Sequence, residues 1–284
     1  MQKTLEHRVE ISGIGLHSGV ESKLVFSPAP ADSGVVFVRS DLGEKDVFPA
    51  LYKYVVDTRN CTCLGNENRQ IVSTIEHIMA ALYMVGIDNV RIEINNAEVP
   101  IMDGSAKVFY DILKDVPLRE QTVKRKCLKI KREVEFVDDK GARIKLKPAE
   151  EFRVKFVIDF PSKIVGHQEF DGIITADLFA KEIAPARTFC EKYQVDYLRS
   201  IGLIKGGSLE NAVVLDGENI LNEGGFRVEN ECVKHKVLDC IGDMFTSGYR
   251  ILAAVEAEKT GHFHNNEVLK KLFADEHNYE IIEE

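Results

Sequence analysis

The spacing of apolar and polar positions changes along this chain, and the changes mark its elements. Residues 5–11, 22–26 and 35–38 are rich in branched side chains and read as strands. Turn chemistry separates them: Gly13-Ile14-Gly15-Leu16-His17-Ser18-Gly19 and Pro28-Ala29-Pro30-Ala31-Asp32-Ser33-Gly34. Short strands follow over 47–64. A helical period first appears after Ser73, where Ile75, Met79 and Leu82 form a stripe that predicts a helix over 74–85. Next come a strand over 89–94, a tight connection, and a helix over 106–113. Residues 116–125, polar and containing Pro117, read as a linker.

The second half repeats the plan. Strands are predicted over 128–137, 142–146 and 153–160, then a loop over 161–166, a further strand and a short helix over 176–181. A strand over 186–190 leads into a helix over 191–201. Lys205-Gly206-Gly207-Ser208 lacks the spacing of a phosphate-binding loop and reads as a turn. Asp216-Gly217 marks a hairpin between 212–215 and 219–221. A long helix over 231–243, a strand over 250–258, a helix over 266–273 and an acidic, loosely held tail complete the chain. The layout is α+β, with similar halves at 1–116 and 127–284 joined through 117–126.

Composition narrows the partners. The 284 residues, 44% hydrophobic and 29% charged, suit one large domain or two moderate ones. A net charge of −9 argues against a nucleic-acid partner but leaves room for an anionic small ligand in a local basic pocket. No run of about 18 apolar residues predicts a membrane span, so no stable membrane insertion is expected. The opening residues show no apolar leader core. Six cysteines without secreted disulfide spacing point to the cytoplasm. Cys61 and Cys63 read as same-face residues of a strand.

The helix over 231–243 carries the chemistry. Val233, Val237, Cys240 and Met244 form one apolar stripe, while His235, Asp239 and Asp243 recur at i+4 on another side, within about 80° of one another. An imidazole and a carboxylate so placed are half a metal site. A catalytic zinc takes three protein ligands and keeps one position open. His77 supplies the third. Glu76, beside it, has two readings: a capping box with Ser73, or a general base reaching a water on the metal. His262 follows a glycine at a strand end, where it can serve as an acid held by Asp243. His17, alone in a loop, reads as solvated.

These residues carry a resemblance. The chain resembles the UDP-3-O-acyl-N-acetylglucosamine deacetylases, the zinc amidases of lipid A biosynthesis, over nearly its whole length. Ser73-Thr74-Ile75-Glu76-His77, Pro100-Ile101-Met102-Asp103-Gly104-Ser105, Ala186-Arg187-Thr188-Phe189, His235-Lys236-Val237-Leu238-Asp239 with Ile241-Gly242-Asp243, and Lys259-Thr260-Gly261-His262 bear it. The resemblance implies two similar domains, each a β-sheet packed with helices, and an active site in the cleft between them. It implies zinc on His77, His235 and Asp239, Glu76 as base, His262 as acid supported by Asp243, and Thr188 on the oxyanion. Lys236 would lie over the substrate, Phe189 against the hexose, Asp159 and Phe160 at the uracil, and Lys259 at the nucleotide end. Lys140 and Arg143 both lie near the expected diphosphate contact. An insert at about 190–211 would form a passage for the acyl chain, walled by Val195, Leu203 and Ile204. Arg59-Asn60 stands where an apolar pair is common beside that passage, and Lys234 where arginine is common.

The substrate expected is thus an acylated UDP-sugar, handled by a monomeric cytoplasmic enzyme. Two alternatives compete: a non-catalytic nucleotide-sugar-binding protein, and a zinc amidase for another acylated substrate. Glu76 and His262 speak against the first, since binding alone needs neither.

Overall fold

Side chains of an extended chain alternate between faces, and strand Arg250–Glu258 shows the result. Ile251, Ala253, Val255 and Ala257 are buried, while the residues between them are half-buried. In the computed structural model, which describes residues 1–43 and 46–284, this strand is the hub of a seven-stranded sheet. It pairs antiparallel with Arg143–Pro148 and parallel with Arg153–Asp159 and Lys126–Ile130. Val134–Val137, His167–Ile173 and Tyr279–Glu283 complete the sheet. A five-stranded sheet runs in the order Val9–Ile14, Glu21–Pro28, Val90–Ile94, Val35–Arg39, Val47–Pro49. Its one parallel pair is Val35–Arg39 with Val90–Ile94. A small sheet, Val55–Asp57, Cys63–Gly65 and Ile71–Val72, precedes the first helix.

The helices are α1 (Glu76–Val85), α2 (Lys107–Lys114), the short α3 (Ala176–Leu178), α4 (Lys192–Ser200), α5 (Glu231–Phe245) and α6 (His262–Phe273). None is long and apolar enough to cross a membrane among the described residues. The fold is α+β. Helix α5 packs against α1 and lies on strands Arg153–Asp159 and His167–Ile173. One apolar core joins Phe26, Phe37 and Ile92 of the five-stranded sheet to Ile78 and Leu82 of α1, Leu238 and Ile241 of α5, and Phe156 and Val255 of the larger sheet. The predicted stripe of α5 is buried, and so are Leu238, Ile241 and Phe245. Glu231, His235, Asp239 and Asp243 are buried with them, so the charged groups of this helix lie inside the molecule and need partners there. The close fit of α1 on α5 depends on Gly242, where a Cβ would fall 2.0 Å from the carbonyl oxygen of Glu76.

Several expectations need correction. The tail is not loose: Tyr279–Glu283 pairs antiparallel with Lys126–Ile130, because Tyr279, Ile281 and Ile282 supply strand character that the acidic residues mask. The last helix begins at His262, four residues early, where the His264 ring reaches back to the Gly261 N–H at 3.4 Å. Helix α1 begins at Glu76 and has no side-chain cap, so the capping box is absent. Thr74 there takes a φ of 62°, a costly conformation for a β-branched residue, and turns the chain so that the first residues of α1 face α5. Residues 128–137, read as one strand, hold the end of Lys126–Ile130 and all of a second strand, Val134–Val137. Leu118–Glu120, within the stretch read as a linker, pairs with Lys3–Leu5. The insert is a strand–helix–strand unit: Phe189–Glu191, α4, then Val213–Asp216 parallel to the first.

Candidate metal centre

Helix α1 presents His77 from its first turn, and α5 presents His235 and Asp239 one turn apart. Nε2 of His77 lies 3.5 Å, and Nε2 of His235 3.4 Å, from Oδ1 of Asp239. The two rings stand edge to face with centroids 5.0 Å apart and an interplanar angle of 85°. Nδ1 of His235 lies 3.1 Å from the Ala186 carbonyl, which only accepts. The ring proton therefore sits on Nδ1, and the Nε2 lone pair faces Asp239. Burial pushes the His235 pKa down to about 3, so the ring is neutral, as a ligand must be.

The donor set fits a metal ion. Oδ1 of Asp239 is buried with no hydrogen-bond partner, an arrangement that costs free energy unless something else satisfies it. A tetrahedral ion with bonds of about 2.0–2.2 Å sets neighbouring ligand atoms about 3.3–3.6 Å apart, a range that contains the two separations found. All three donor atoms lie within 4.8 Å of one another. The other oxygen of Asp239, Oδ2, accepts from Lys236 Nζ at 2.8 Å. Burial opposes ionisation of Asp239, but its cationic neighbours Lys236 and His262 outweigh it and hold the carboxyl well below its usual range.

Two proton-carrying groups flank these donors. Glu76 is 3% exposed, and its Oε2 accepts the Thr62 N–H at 2.9 Å. Burial raises its pKa, against the pull of His262 and His77. Nδ1 of His262 lies 2.8 Å from Oδ2 of Asp243, and Nε2 lies 4.0 Å from Oδ2 of Asp239. Burial works against a charged His262, yet Asp243, then Asp239 and Glu76, lift its pKa to about 9. Asp243 also accepts from Thr62 Oγ1 at 2.6 Å and Asn265 Nδ2 at 2.8 Å.

The other predicted positions surround this centre unevenly. Thr188 is half-buried; its N–H donates to Gly104 at 2.7 Å and its carbonyl accepts from Val213 at 2.8 Å. The Phe189 ring meets Phe160 at 5.4 Å and His235 at 6.3 Å, with Lys236 Nζ 5.9 Å above it. Asp159 and Lys259 emerge from neighbouring parallel strands and pair with each other at 2.9 Å. Val195 and Leu203 are half-buried and Ile204 is buried. The loop after them docks on the first glycine loop: Lys205 and Gly206 donate to His17 and Leu16. His17 is not solvated. Both its ring nitrogens are buried without partners, and Glu98 accepts the N–H groups of His17 and Ser18 at 2.7 and 2.8 Å. Arg143 is engaged by Glu258 at 2.6 Å, Lys234 by Glu182 at 2.8 Å and Arg59 by Asp57 at 2.6 Å.

Sequence reasoning missed four residues that build the site. Thr62 and Asn265 hold Asp243. Arg187, 5% exposed, forms an ion pair with the fully buried Glu231 at 2.8 Å and donates to Gly225. That pair fastens the segment that carries Thr188 into strand Phe189–Glu191 to the start of α5. The only signal was composition: a charged residue in each of two apolar neighbourhoods implies a partner, but not which one.

Comparison with known proteins adds a family context. A family model described as UDP-3-O-acyl N-acetylglycosamine deacetylase matches residues 2–274. The chain is similar to proteins named UDP-3-O-acyl-N-acetylglucosamine deacetylase from three bacteria. The Aliarcobacter butzleri protein is 41% identical over 99% of this chain and 93% of its own length. The Pasteurella multocida protein is 42% identical over 99% and 92%, and the Myxococcus xanthus protein 44% identical over 99% and 89%.

Proposed function

This chain belongs to the UDP-3-O-acyl N-acetylglycosamine deacetylase family, and from that premise we propose that it is the zinc-dependent deacetylase of UDP-3-O-acyl-N-acetylglucosamine. It hydrolyses the N-acetyl amide to give UDP-3-O-acyl-glucosamine and acetate, a step of lipid A biosynthesis. The observation that carries the zinc reading is the buried trio of His77, His235 and Asp239, with a carboxylate oxygen left unpaired. Zinc bound there supplies Lewis acidity, polarising the amide carbonyl and lowering the pKa of water.

The chain's own groups do the rest. Glu76 is tied down through Oε2 and keeps Oε1 free to accept the proton of the attacking water. Its raised pKa makes it a stronger base than an exposed glutamate. His262 holds a proton at neutral pH and delivers it from Nε2 to the departing nitrogen, while Asp243 fixes the ring through Nδ1. The Thr188 hydroxyl donates to the oxyanion of the tetrahedral intermediate. Lys236, over Phe189, supplies positive charge beside the sugar, and Phe189 packs on the hexose. Asp159, Phe160 and Lys259 hold the uridine end. The acyl chain runs along Val195, Leu203 and Ile204, gaining about 0.8 kcal/mol per buried CH₂. The enzyme works as a cytoplasmic monomer.

Acetate release from UDP-3-O-acyl-N-acetylglucosamine tests this directly. Chelation should abolish it and zinc should restore it. Glu76→Ala should lower kcat by about 10²–10⁴-fold, the worth of a general base, with zinc content unchanged. No acetate from the zinc-loaded protein would refute the activity; unchanged kcat in Glu76→Ala would remove Glu76 from the chemistry.

A further inference from the structure

Every polar group of Thr62 is committed to the site. Its N–H donates to Oε2 of Glu76 at 2.9 Å, and its carbonyl accepts from the N–H of Ile75, the residue before Glu76, at 3.4 Å. Its hydroxyl donates to Oδ1 of Asp243 at 2.6 Å. Thr62 is 2% exposed and lies in the link between strands Val55–Asp57 and Cys63–Gly65 of the small sheet. The carboxylates it touches are 14 and 181 positions away. No other residue, among the described ones, makes a hydrogen bond to both.

We propose that Thr62 is a positioning residue, which locks the Asp243 carboxylate in the rotation that serves His262 and ties it to the mount of Glu76. The proposal rests on the deacetylase reading above. The terminal torsion of an aspartate is broad and weakly restrained by itself. Two donors, His262 Nδ1 and Asn265 Nδ2, converge on Oδ2 of Asp243. Two bonds to one oxygen leave the carboxylate free to swing about that oxygen. A third donor on Oδ1 fixes its plane, and Thr62 is that donor. The short hydroxyl–carboxylate distance is that of a charge-assisted bond. With the plane fixed, the His262 ring is fixed, and Nε2 keeps its aim towards the centre. The same residue's backbone holds Glu76, so base and acid share one anchor in a strand connection that belongs to neither α1 nor α5.

Removing only the hydroxyl separates this role from plain packing. Thr62→Val keeps the shape and both backbone bonds to the α1 start, whereas Thr62→Ser keeps the hydroxyl. In the zinc-loaded full chain, Thr62→Val should lower kcat about 10–100-fold with KM changed less than about twofold, the signature of a misplaced group rather than lost binding. Thr62→Ser should return kcat to within about threefold of wild type. Thr62→Ala removes the same hydroxyl and stands in should the valine variant fail to fold. In an Asp243→Ala background, the Thr62→Val change should have no further effect on kcat, since a residue acting through Asp243 has nothing left to position. Unchanged kcat in Thr62→Val, an equal loss in the serine variant, or a full loss in the Asp243→Ala background would each overturn the proposal. Those outcomes leave the deacetylase reading intact, because wild-type acetate release and the Glu76→Ala loss test that separately.

Discussion

Glu76 and His262 both have raised pKa values, for opposite reasons. Burial denies Glu76 the water that would stabilise its charge, so the carboxyl holds a proton more readily. His262 is equally dry, but Asp243, Asp239 and Glu76 favour its charged form by more than burial disfavours it. One environment thereby suits the proposed base and the proposed acid at the same pH. The sign of the His262 shift gives a stability test. A folded value of about 9 against an ordinary 6.5 means that the His262–Asp243 pair stabilises the fold fully below pH 6.5. That contribution is lost as pH rises through about 9. The metal-free protein should therefore lose more Tm between pH 6.5 and 9 than His262→Gln does. Parallel Tm curves would show that the pair does not carry the charge inferred. In turnover, a bound dication would repel the imidazolium, so the alkaline limb falls at or below that value and disappears in His262→Ala. Adjacent Glu76 and His77, and the i+4 spacing of His235 and Asp239, were legible because local sequence sets them. Thr62 and Asn265 were not, since a hydroxyl 181 positions from its acceptor leaves no periodic trace.

At the scale of elements, the site depends on how closely α1 meets α5. His77 rides on one helix, His235 and Asp239 on the other, and Gly242 is the point of contact. A methyl group there would gain about 1 kcal/mol of helix propensity. It would also sit 2.0 Å from the Glu76 carbonyl oxygen and 3.1 Å from the Ala80 nitrogen, both backbone atoms that cannot turn aside. The clash wins. Gly242→Ala should destabilise the metal-free protein by about 1–3 kcal/mol, as overpacking does, and should weaken zinc binding as well. Urea unfolding and a competitive zinc titration check both parts, and unchanged zinc affinity would mean that helix spacing does not set the donor geometry. The apolar stripes of both helices were readable in the sequence, but their ends were less so. The start of α1 follows from the strained Thr74 turn rather than a cap, and the start of α6 from a histidine ring bonded to its own N-cap glycine. Neither has a composition signal. The closing strand was hidden by its acidic residues, although Tyr279, Ile281 and Ile282 carried the pairing.

Across the whole molecule, the centre forms only because residues 77 and 235–239 meet through one continuous core, with Ile78 and Leu82 on one side and Leu238 and Ile241 on the other. The repeated plan of strands and a histidine-bearing helix could be read along the chain, and the α+β class with it. What could not be read was the docking itself, including the Arg187–Glu231 pair that fastens the Thr188 segment to α5 and the Glu98 carboxylate that holds the His17 loop. These are long-range polar contacts, and their partners are chosen by tertiary packing. Diffraction at the zinc absorption edge from crystals of the zinc-loaded protein tests the shared centre most directly. One strong anomalous peak is expected, about 2.0–2.2 Å from Nε2 of His77, Nε2 of His235 and Oδ1 of Asp239. A peak lacking His77, or zinc bound only elsewhere on the surface, would contradict a catalytic centre built jointly by α1 and α5.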